Sequence, residues 1–180
     1  MDQELSGQEL YELKKKQKAI ILAHSYQTPD IMYGVADYIG DSYGLSKIAR
    51  QSRAKKIIFC SVYFMGETAK ILNPNKEVIV PSVAGCSLAE SITAKDVQRL
   101  KRKHPGVPVV SYINTYAAIK AESNIICTSG NALKIIESLP DKEIIFIPDK
   151  LMGRNLQKLT NKKLILWDGT CVVHEKFNAD

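Results

Sequence analysis

Short apolar runs rich in β-branched residues recur along the chain, and they constrain its fold more than any other feature. Each run is bounded by turn-forming residues. The runs cover 19–25, 56–62, 77–83, 108–114, 124–129, 143–149 and 163–169. Unbroken Val, Ile and Leu runs of this length are typical of strands that are buried on both faces of a parallel sheet.

Segments with helical periodicity lie between these runs. They include 45–52, 66–73, 87–103 and 131–138. Strands that alternate with helices at such short spacing predict βαβ units and an α/β fold with short parallel sheets. In folds of this kind, ligands bind beyond the carboxyl ends of the strands, where the following helices begin. Most of the chemically interesting residues of this chain fall there.

Composition excludes several classes of protein. The 180 residues suffice for one ordinary domain or two small ones, and 45% apolar with 24% charged residues excludes a disordered or fibrous chain. No apolar stretch approaches the ~20 residues of a membrane helix, and the first 18 residues lack a secretory signal, so we expect a cytoplasmic protein with no membrane partner. The net charge of +6 is spread over scattered basic groups. This favours small anionic substrates over nucleic acid.

An internal repeat organises the chain. Several segments match one another, in the same order, at an offset near 87 residues. The matches are Ser42 with Ser129, 57–59 (Ile-Ile-Phe) with 144–146, and Met65-Gly66 with Met152-Gly153. Duplication therefore predicts two αβα repeats. We place the first at 1–103, including the helix after Cys86, and the second at 104–180, ending just past Cys171.

The cysteines fall into two kinds, and their wide spacing argues against a disulfide framework. Cys60 and Cys127 end apolar strands, which indicates buried packing residues. Cys86 and Cys171 each follow a strand and a Gly-containing turn and precede a predicted helix, whose N-terminus favours the thiolate. Although packing is the alternative, the repeated position favours ligation of a metal.

The identity of that metal stays open from the residues alone, because two thiolates form an incomplete site. Zinc would need further ligands, of which His174 is the nearest, in a Cys-x-x-His element. An iron–sulfur cluster would need at least one more thiolate.

Longer motifs carry a resemblance to a known family. They are ILAHSYQTPDI (21–31), ADYIGDS (36–42), FMGETAKILNP (64–74), AGCSLAESIT (84–93), YINT (112–115), CTSGNA (127–132), IFIPDKLMGR (145–154) and LWDGTCVVHEKF (166–177). From about residue 15 onward the chain resembles A-type quinolinate synthases. The resemblance implies three homologous αβα domains around a pseudo-threefold axis, each giving one cysteine to a 4Fe–4S cluster. Cys86 and Cys171 would be the first two ligands, and the third repeat, with the third cysteine, would be missing.

The resemblance also implies a reaction. Family members condense iminoaspartate with dihydroxyacetone phosphate and release water and phosphate, giving quinolinate for de novo NAD biosynthesis. The open iron of the cluster would act as a Lewis acid. L-aspartate oxidase or aspartate dehydrogenase would supply the iminoaspartate.

Individual roles follow from the same resemblance. The matching substrate-binding positions are His24, Ser42, Tyr112, Asn114, Ser129 and His174. Tyr26 matches a tyrosine of proton transfer, and His24, two residues away on the same strand face, would assist it. The alternatives are ordinary: His24 as a hydrogen-bonded core histidine, and Ser42 and Ser129 as helix caps.

The chain also departs from the family pattern. Ser25 stands where the family has Asn, Tyr63 stands where it often has His, and LWDGTC replaces LWPGYC. Because the third repeat would be missing, two alternatives to an active enzyme stay open. The chain would be a cluster-free protein that binds dicarboxylates or phosphates, or a regulatory partner of a full-length homologue. An exposed repeat face further predicts association, for example as a homodimer.

Overall fold

A computed structural model of the chain describes residues 6–176 and divides the protein into two compact units. Unit 1 ends at Ala84, and unit 2 begins at Gly85. Each unit contains a four-stranded parallel sheet with helices, which confirms the predicted α/β fold.

Unit 1 is built around β1. Its helices are α1 (Gly7–Gln17), α2 (Ser42–Gln51) and α3 (Tyr63–Leu72), with a π-helix at Asp30–Val35. Its strands are β1 (Ala19–His24), β2 (Tyr38–Gly40), β3 (Lys56–Cys60) and β4 (Glu77–Ile79), in the order β2-β1-β3-β4. The strands are parallel, and Leu22 of β1 pairs with Tyr38 on one side and Phe59 on the other.

Unit 2 has the corresponding arrangement. Its helices are α4 (Ser87–Glu90), α5 (Ala94–Lys103), α6 (Ala117–Glu122), α7 (Ala132–Ser138) and α8 (Lys150–Gln157), with a 3₁₀ turn at His174–Lys176. Its strands are β5 (Val109–Tyr112), β6 (Ile125–Cys127), β7 (Glu143–Ile147) and β8 (Lys163–Leu166), in the order β6-β5-β7-β8. Within residues 6–176, no helix has both the length and the apolar character needed to cross a bilayer.

The two sheets confirm the duplication. An offset of 87 residues carries β2 onto β6 and β3 onto β7, with identical bounds. The same offset carries the capping box of Ser6 and Glu9, which begins α1, onto the capping box of Thr93 and Asp96, which begins α5. Because capping boxes fix where helices start, α5 is the counterpart of α1 and opens the second repeat.

The boundary between the units therefore differs from the sequence-based boundary after residue 103. The prediction that 87–103 forms one helix of the first repeat is wrong, because α4 ends at Glu90 and Thr93 caps a new helix. Val97 of α5 packs against Ile119 and Ile145 of unit 2. Burial of that apolar face places α5 with the second sheet.

The sheet of unit 2 is covered on both faces, as the unbroken apolar runs predict. Ile144 and Phe146 of β7 belong to one core, whereas Ile145 and Ile147 belong to the core on the opposite face. This alternation is the two-residue period of a strand, and here both phases of it are apolar.

A lysine closes the helix after the second strand in each unit. Lys162 Nζ donates to the carbonyl oxygen of Ile136, at 2.8 Å, in the last turn of α7. In unit 1, Lys76 Nζ donates to the carbonyl oxygen of Ser52, at 2.7 Å, just after α2. A cation at a helix C-terminus satisfies free carbonyl groups and opposes the negative end of the dipole. The duplication therefore extends to side-chain contacts.

Candidate functional site

The predicted pair His24 and Tyr26 lies together at the carboxyl end of β1. His24 is 6% exposed, and its Nδ1 accepts a hydrogen bond from the Tyr26 main-chain amide at 3.2 Å. The two ring centroids are 4.4 Å apart. The Tyr26 side chain is 87% exposed. Because Nδ1 accepts, the neutral His24 ring carries its proton on Nε2, which is then a hydrogen-bond donor.

Burial determines the charge of His24. Loss of hydration lowers the pKa of His24, and the nearby Asp41 carboxylate opposes this shift only in part. The lowered pKa keeps the ring neutral near pH 7, because an ordinary histidine titrates near ~6.5. His24 can therefore donate from Nε2 without carrying a charge.

We expect the His24 ring to titrate below about pH 6.5 in the folded protein. The unfolded chain takes up this proton at a higher pH, so stability falls as the pH drops from about 6.5 through the folded pKa. An NMR titration of the imidazole resonances measures the midpoint, and His24→Gln identifies the resonance. A midpoint at or above the ordinary value would contradict the predicted effect of burial.

Ser42 and Ser129 follow the edge strands of their sheets at equivalent positions. Ser42 is the first residue of α2, but its side chain lies outside the part of the chain that the structure describes. The N-cap of α2 is Asp41, and that of α7 is Asn131. The interpretation of the two serines as helix caps is therefore wrong. The Ser129 side chain is exposed.

A groove in unit 2 brings together three of the predicted substrate-binding residues. Tyr112, Ser129 and His174 line this groove, which has a volume of about 990 Å³. Asn114 lies two residues beyond β5 and is half-buried, outside the lining of the groove. Tyr112 ends β5, Ser129 lies two residues after β6 and His174 comes after β8, as expected for residues at the carboxyl ends of parallel strands. Most of the other lining residues belong to α8 and β8.

Asp149 is a buried acidic residue of this groove that is not among the predicted site residues. It is 2% exposed, and its Oδ1 accepts from the Met152 amide at 2.9 Å, capping α8. Its Oδ2 lies 3.1 Å from Nδ1 of His174. The available signal was an aspartate between a strand and a helix, in Pro-Asp-Lys, which is an N-cap pattern.

Cys86 and Cys171 both lie in unit 2, and the segments that carry them are in contact. Cys86 is the N-cap residue of α4, and Cys171 comes shortly before the 3₁₀ turn. The amide of Val172 donates to Oγ of Ser87 at 3.3 Å, so the residues that follow the two cysteines touch. Both cysteines are free and half-buried. The shared ligation of a metal by the two cysteines stays a prediction.

The residues of this region form only part of a metal site. Within the described ranges, no three side chains of His, Cys, Asp or Glu come close enough to hold a metal ion. Structural zinc takes four such ligands, and a cluster needs at least a third thiolate. The nearby His174 contacts Asp149 through Nδ1. The two thiols alone therefore complete neither a zinc site nor a cluster site.

Cys60 and Cys127 differ from that pair. Burial raises the pKa of the Cys60 thiol, and it raises the pKa of Cys127 to about 12. Cys127 is 1% exposed and belongs to the core of unit 2. Both therefore persist as thiols at neutral pH, which supports their interpretation as packing residues.

Thiol labelling should separate these residues in the folded protein at pH 8. Because alkylation needs an accessible thiolate, we expect Cys86 and Cys171 to react first, Cys60 more slowly, and Cys127 only after unfolding. Mass spectrometry after timed exposure to iodoacetamide measures the order, and denatured protein gives the reference rate. Rapid labelling of Cys127 in the native state would contradict its burial.

Comparison with curated proteins gives relatives that are named quinolinate synthases. The chain is 53% identical over 171 residues to a quinolinate synthase of Xylella fastidiosa (strain Temecula1), covering 94% of this chain and 50% of the relative. It is 55% identical over 169 residues to a quinolinate synthase of Trichodesmium erythraeum, covering 93% of this chain and 52% of the relative. The chain thus spans about half the length of the curated relatives it matches.

A family model agrees with these relatives. The model of NadA, described as Quinolinate synthetase A protein, matches residues 8–180. The match covers nearly the whole chain and confirms the resemblance inferred from the sequence motifs. The chain belongs to the quinolinate synthetase A protein family.

Proposed function

We propose that this chain forms part of a quinolinate synthase, which condenses iminoaspartate with dihydroxyacetone phosphate to give quinolinate for de novo NAD biosynthesis. The observation that carries the proposal is the identity of 53–55% to named quinolinate synthases over more than nine-tenths of the chain. The positions of the predicted residues after the strands of each sheet support it.

In unit 1, His24 and Tyr26 would bind and protonate substrate. The neutral His24 ring would donate from Nε2 to a carboxylate or a carbonyl oxygen, as its hydrogen bond to the Tyr26 amide requires. The exposed phenol of Tyr26 would exchange a proton with the substrate. Ser42 would add a hydroxyl at the start of α2.

In unit 2, Tyr112, Asn114, Ser129 and His174 would contact the substrates. The groove of about 990 Å³ falls within the usual size of small-molecule sites. Asp149 holds His174 through Nδ1, which leaves Nε2 to contact the substrate. A carboxylate that fixes one imidazole nitrogen orients the other.

Cys86 and Cys171 would be two ligands of the 4Fe–4S cluster of the family. When bound, that cluster would supply a Lewis acid. Since the described residues offer no third ligand, the remaining thiolate would come from residues outside this sequence. The four free cysteines are consistent with a reducing compartment such as the cytoplasm. L-aspartate oxidase or aspartate dehydrogenase would supply the iminoaspartate.

The test uses this chain mixed with the unmatched half of the Agrobacterium fabrum relative, of which the match covers 50%. After anaerobic reconstitution with iron and sulfide, we expect bound iron and quinolinate from the two substrates. Cys171→Ser should abolish both, and Ser129→Ala should lower quinolinate formation at least tenfold. Ser138→Ala, at the far end of α7, is the matched control. A folded mixture without iron or quinolinate would overturn the proposal.

A second candidate is a cluster-free binder of dicarboxylates or phosphates. The incomplete metal ligand set, beside a groove lined by Ser129 and His174, favours it. Calorimetry with malate and no iron tests it, and Ser129→Ala should abolish the binding heat. If the chain instead acts as a regulatory partner, it should co-elute with a full-length relative in size-exclusion chromatography.

A further inference from the structure

Unit 1 contains a recess at the amino-terminal end of its sheet, at the opposite end of β1 from His24. The recess has a volume of about 360 Å³. The end of α1, the beginning of β1 and the segment before β3 form its walls. Its charged residues are Lys14, Lys15, Lys18, Arg53 and Asp37.

The positive charge of this recess exceeds what its one acidic residue can balance. Asp37 is already engaged, because its Oδ1 lies 2.7 Å from Lys14 Nζ and its Oδ2 accepts from the Ile21 amide at 2.8 Å. Lys18 and Arg53 are exposed, and within residues 6–176 no carboxylate forms an ion pair with either. The recess therefore presents unbalanced cations to solvent.

The backbone of Lys18 ends α1, and its amide donates to the carbonyl oxygens of Lys14 and Lys15. Lys18 is the C-cap residue of α1 with φ 51° and ψ 44°, and it has the only positive φ among the described non-glycine residues. Glycine is the favoured residue in this left-handed conformation. Here the strain places a lysine in the wall of the recess.

The second unit supplies an internal comparison, because the fold forms the same recess there. It is lined by Lys101, Asn124 and Asp141, among others, with a volume of about 440 Å³. At the offset of 87 residues, Pro105 and Pro140 occupy the positions equivalent to Lys18 and Arg53. The duplicated fold accounts for the cavity in both units, but not for Lys18 and Arg53 of the first.

The same comparison shows that Lys14 has a structural role in both units. Lys14 Nζ donates to the Val35 carbonyl at 3.3 Å, and its counterpart Lys101 donates to the equivalent Glu122 carbonyl at 3.1 Å. This contact is common to both units and holds the helix to the sheet. Lys15 Nζ lies 4.4 Å from the centroid of the Tyr11 ring, and Arg102 stands at the equivalent position of unit 2. The cations that only unit 1 has at this recess are Lys18 and Arg53.

We propose that this recess binds a small phosphate-bearing anion with at least two negative charges. The planar guanidinium of Arg53 can donate two hydrogen bonds to phosphate oxygens. The ammonium groups of Lys15 and Lys18 add positive charge beside it. Ala19 begins β1 at the recess, and His24 ends the same strand five residues later, roughly 16 Å from Ala19. The recess is thus distinct from the residues assigned to the condensation, and it does not depend on that assignment.

The test is a titration of the full chain with pyrophosphate at physiological ionic strength, followed by amide NMR. We expect saturable shifts confined to 14–20 and 52–54. Arg53→Gln should weaken binding about fivefold, as expected for an exposed charge pair. Lys18→Gly should weaken it to a similar degree while leaving the melting temperature unchanged or higher, since glycine relieves the left-handed strain.

Arg102→Gln is the matched control, because it removes the same charge at the position equivalent to Lys15 in unit 2. It should leave the affinity unchanged. Three results would overturn the proposal: absence of saturation, equal weakening by Arg102→Gln, and shifts confined to residues around His24 or Ser129. The last result would assign the anion to the substrate site, whereas failure of pyrophosphate alone would leave the proposed condensation unaffected.

Discussion

Replacing Gly153 with valine should destabilise unit 2 by about 3 kcal/mol. Gly153 is buried in α8, where the helix approaches the sheet closely. A Cβ atom added there would lie 2.5 Å from Cδ2 of Leu166 and 3.2 Å from Cδ1 of Phe146. Phe146 is fully buried in the core, so it cannot move aside into solvent.

Gly153→Ala should have a smaller effect, because two contributions oppose each other. Alanine favours a helix over glycine by about 1 kcal/mol, but the overpacking costs roughly 1–3 kcal/mol. We therefore expect a net loss of about 1 kcal/mol. Valine adds two methyl groups to the same crowded space and gains little helix propensity in return. The free energy of unfolding should therefore fall stepwise from the unchanged protein to Gly153→Ala and then to Gly153→Val.

The only tryptophan of the chain makes the measurement specific to unit 2. Trp167 Nε1 donates to the carbonyl oxygen of Ser91 at 3.0 Å, so its fluorescence follows the unfolding of this unit in urea. Gly130→Val is the control, because nothing lies within 4 Å of a Cβ at that exposed position. It should change stability by less than ~0.5 kcal/mol. Equal losses for the two valine variants would contradict the close-approach argument.

The same approach occurs in unit 1, which explains why Met-Gly recurs in the sequence. Gly66 lies in α3, and a Cβ there would meet Cγ2 of Val80. Leu166 follows Val80 by nearly the repeat offset. In both units the helix lies so close to the sheet that only glycine, which has no Cβ, fits at this position. Repetition in the sequence thus marks a physical constraint of the fold.

Strands with apolar side chains on both faces could be predicted closely, whereas the short strand β2 could not. The run 143–149 contains β7 (Glu143–Ile147), because both core clusters demand apolar residues there. β2 (Tyr38–Gly40) lies outside the apolar runs, because its three residues belong to no continuous apolar segment. Its counterpart β6 is apolar. Projecting β6 back by the repeat offset would have found β2.

Helix boundaries depended on side-chain hydrogen bonds that periodicity does not register. The segment 87–103 shows a continuous helical pattern, but Thr93 caps a new helix through its side chain. The pattern Thr-x-x-Asp at 93–96 was available as a signal. When two successive helices bury the same apolar face, the apolar spacing continues across the break. The spacing alone then predicts one long helix instead of two.

The candidate site was predictable where a motif ended a strand. His24, Tyr112 and Ser129 all lie at or just after strand ends, as topology requires. Asp149 could not be inferred in the same way, because its importance comes from a contact with a residue 25 positions away. Long-range hydrogen bonds of this kind follow from tertiary structure alone.

Replacing Asp149 with alanine should destabilise unit 2 by about 2 kcal/mol and release the segment that carries Cys171. The loss combines an N-cap, worth about 1 kcal/mol, with the buried contact to His174, worth about as much again. Asp149→Asn retains a good N-cap but exchanges a carboxylate oxygen for an amide. It should lose only about 1 kcal/mol, so the pair of variants separates the two contributions.

The effect on Cys171 follows from the local geometry. The Glu175 amide donates to the Cys171 carbonyl oxygen at 3.0 Å, so the turn that holds His174 also holds the cysteine. Once Asp149 no longer binds His174, the turn should open more often. Alkylation of Cys171 should then accelerate in both Asp149 variants, whereas alkylation of Cys60 in unit 1 should not change.

Asp168→Ala is the matched control for the stability measurement. Asp168 also pairs with α8, through Lys150, but its side chain is 80% exposed, and surface pairs of this kind contribute little. We expect a change below ~0.5 kcal/mol in urea unfolding followed by Trp167 fluorescence. If Asp149→Ala matched this control in stability while Cys171 labelling stayed at its native rate, Asp149 would not anchor the cysteine segment. The geometry requires both to change, because one buried carboxylate makes both contacts.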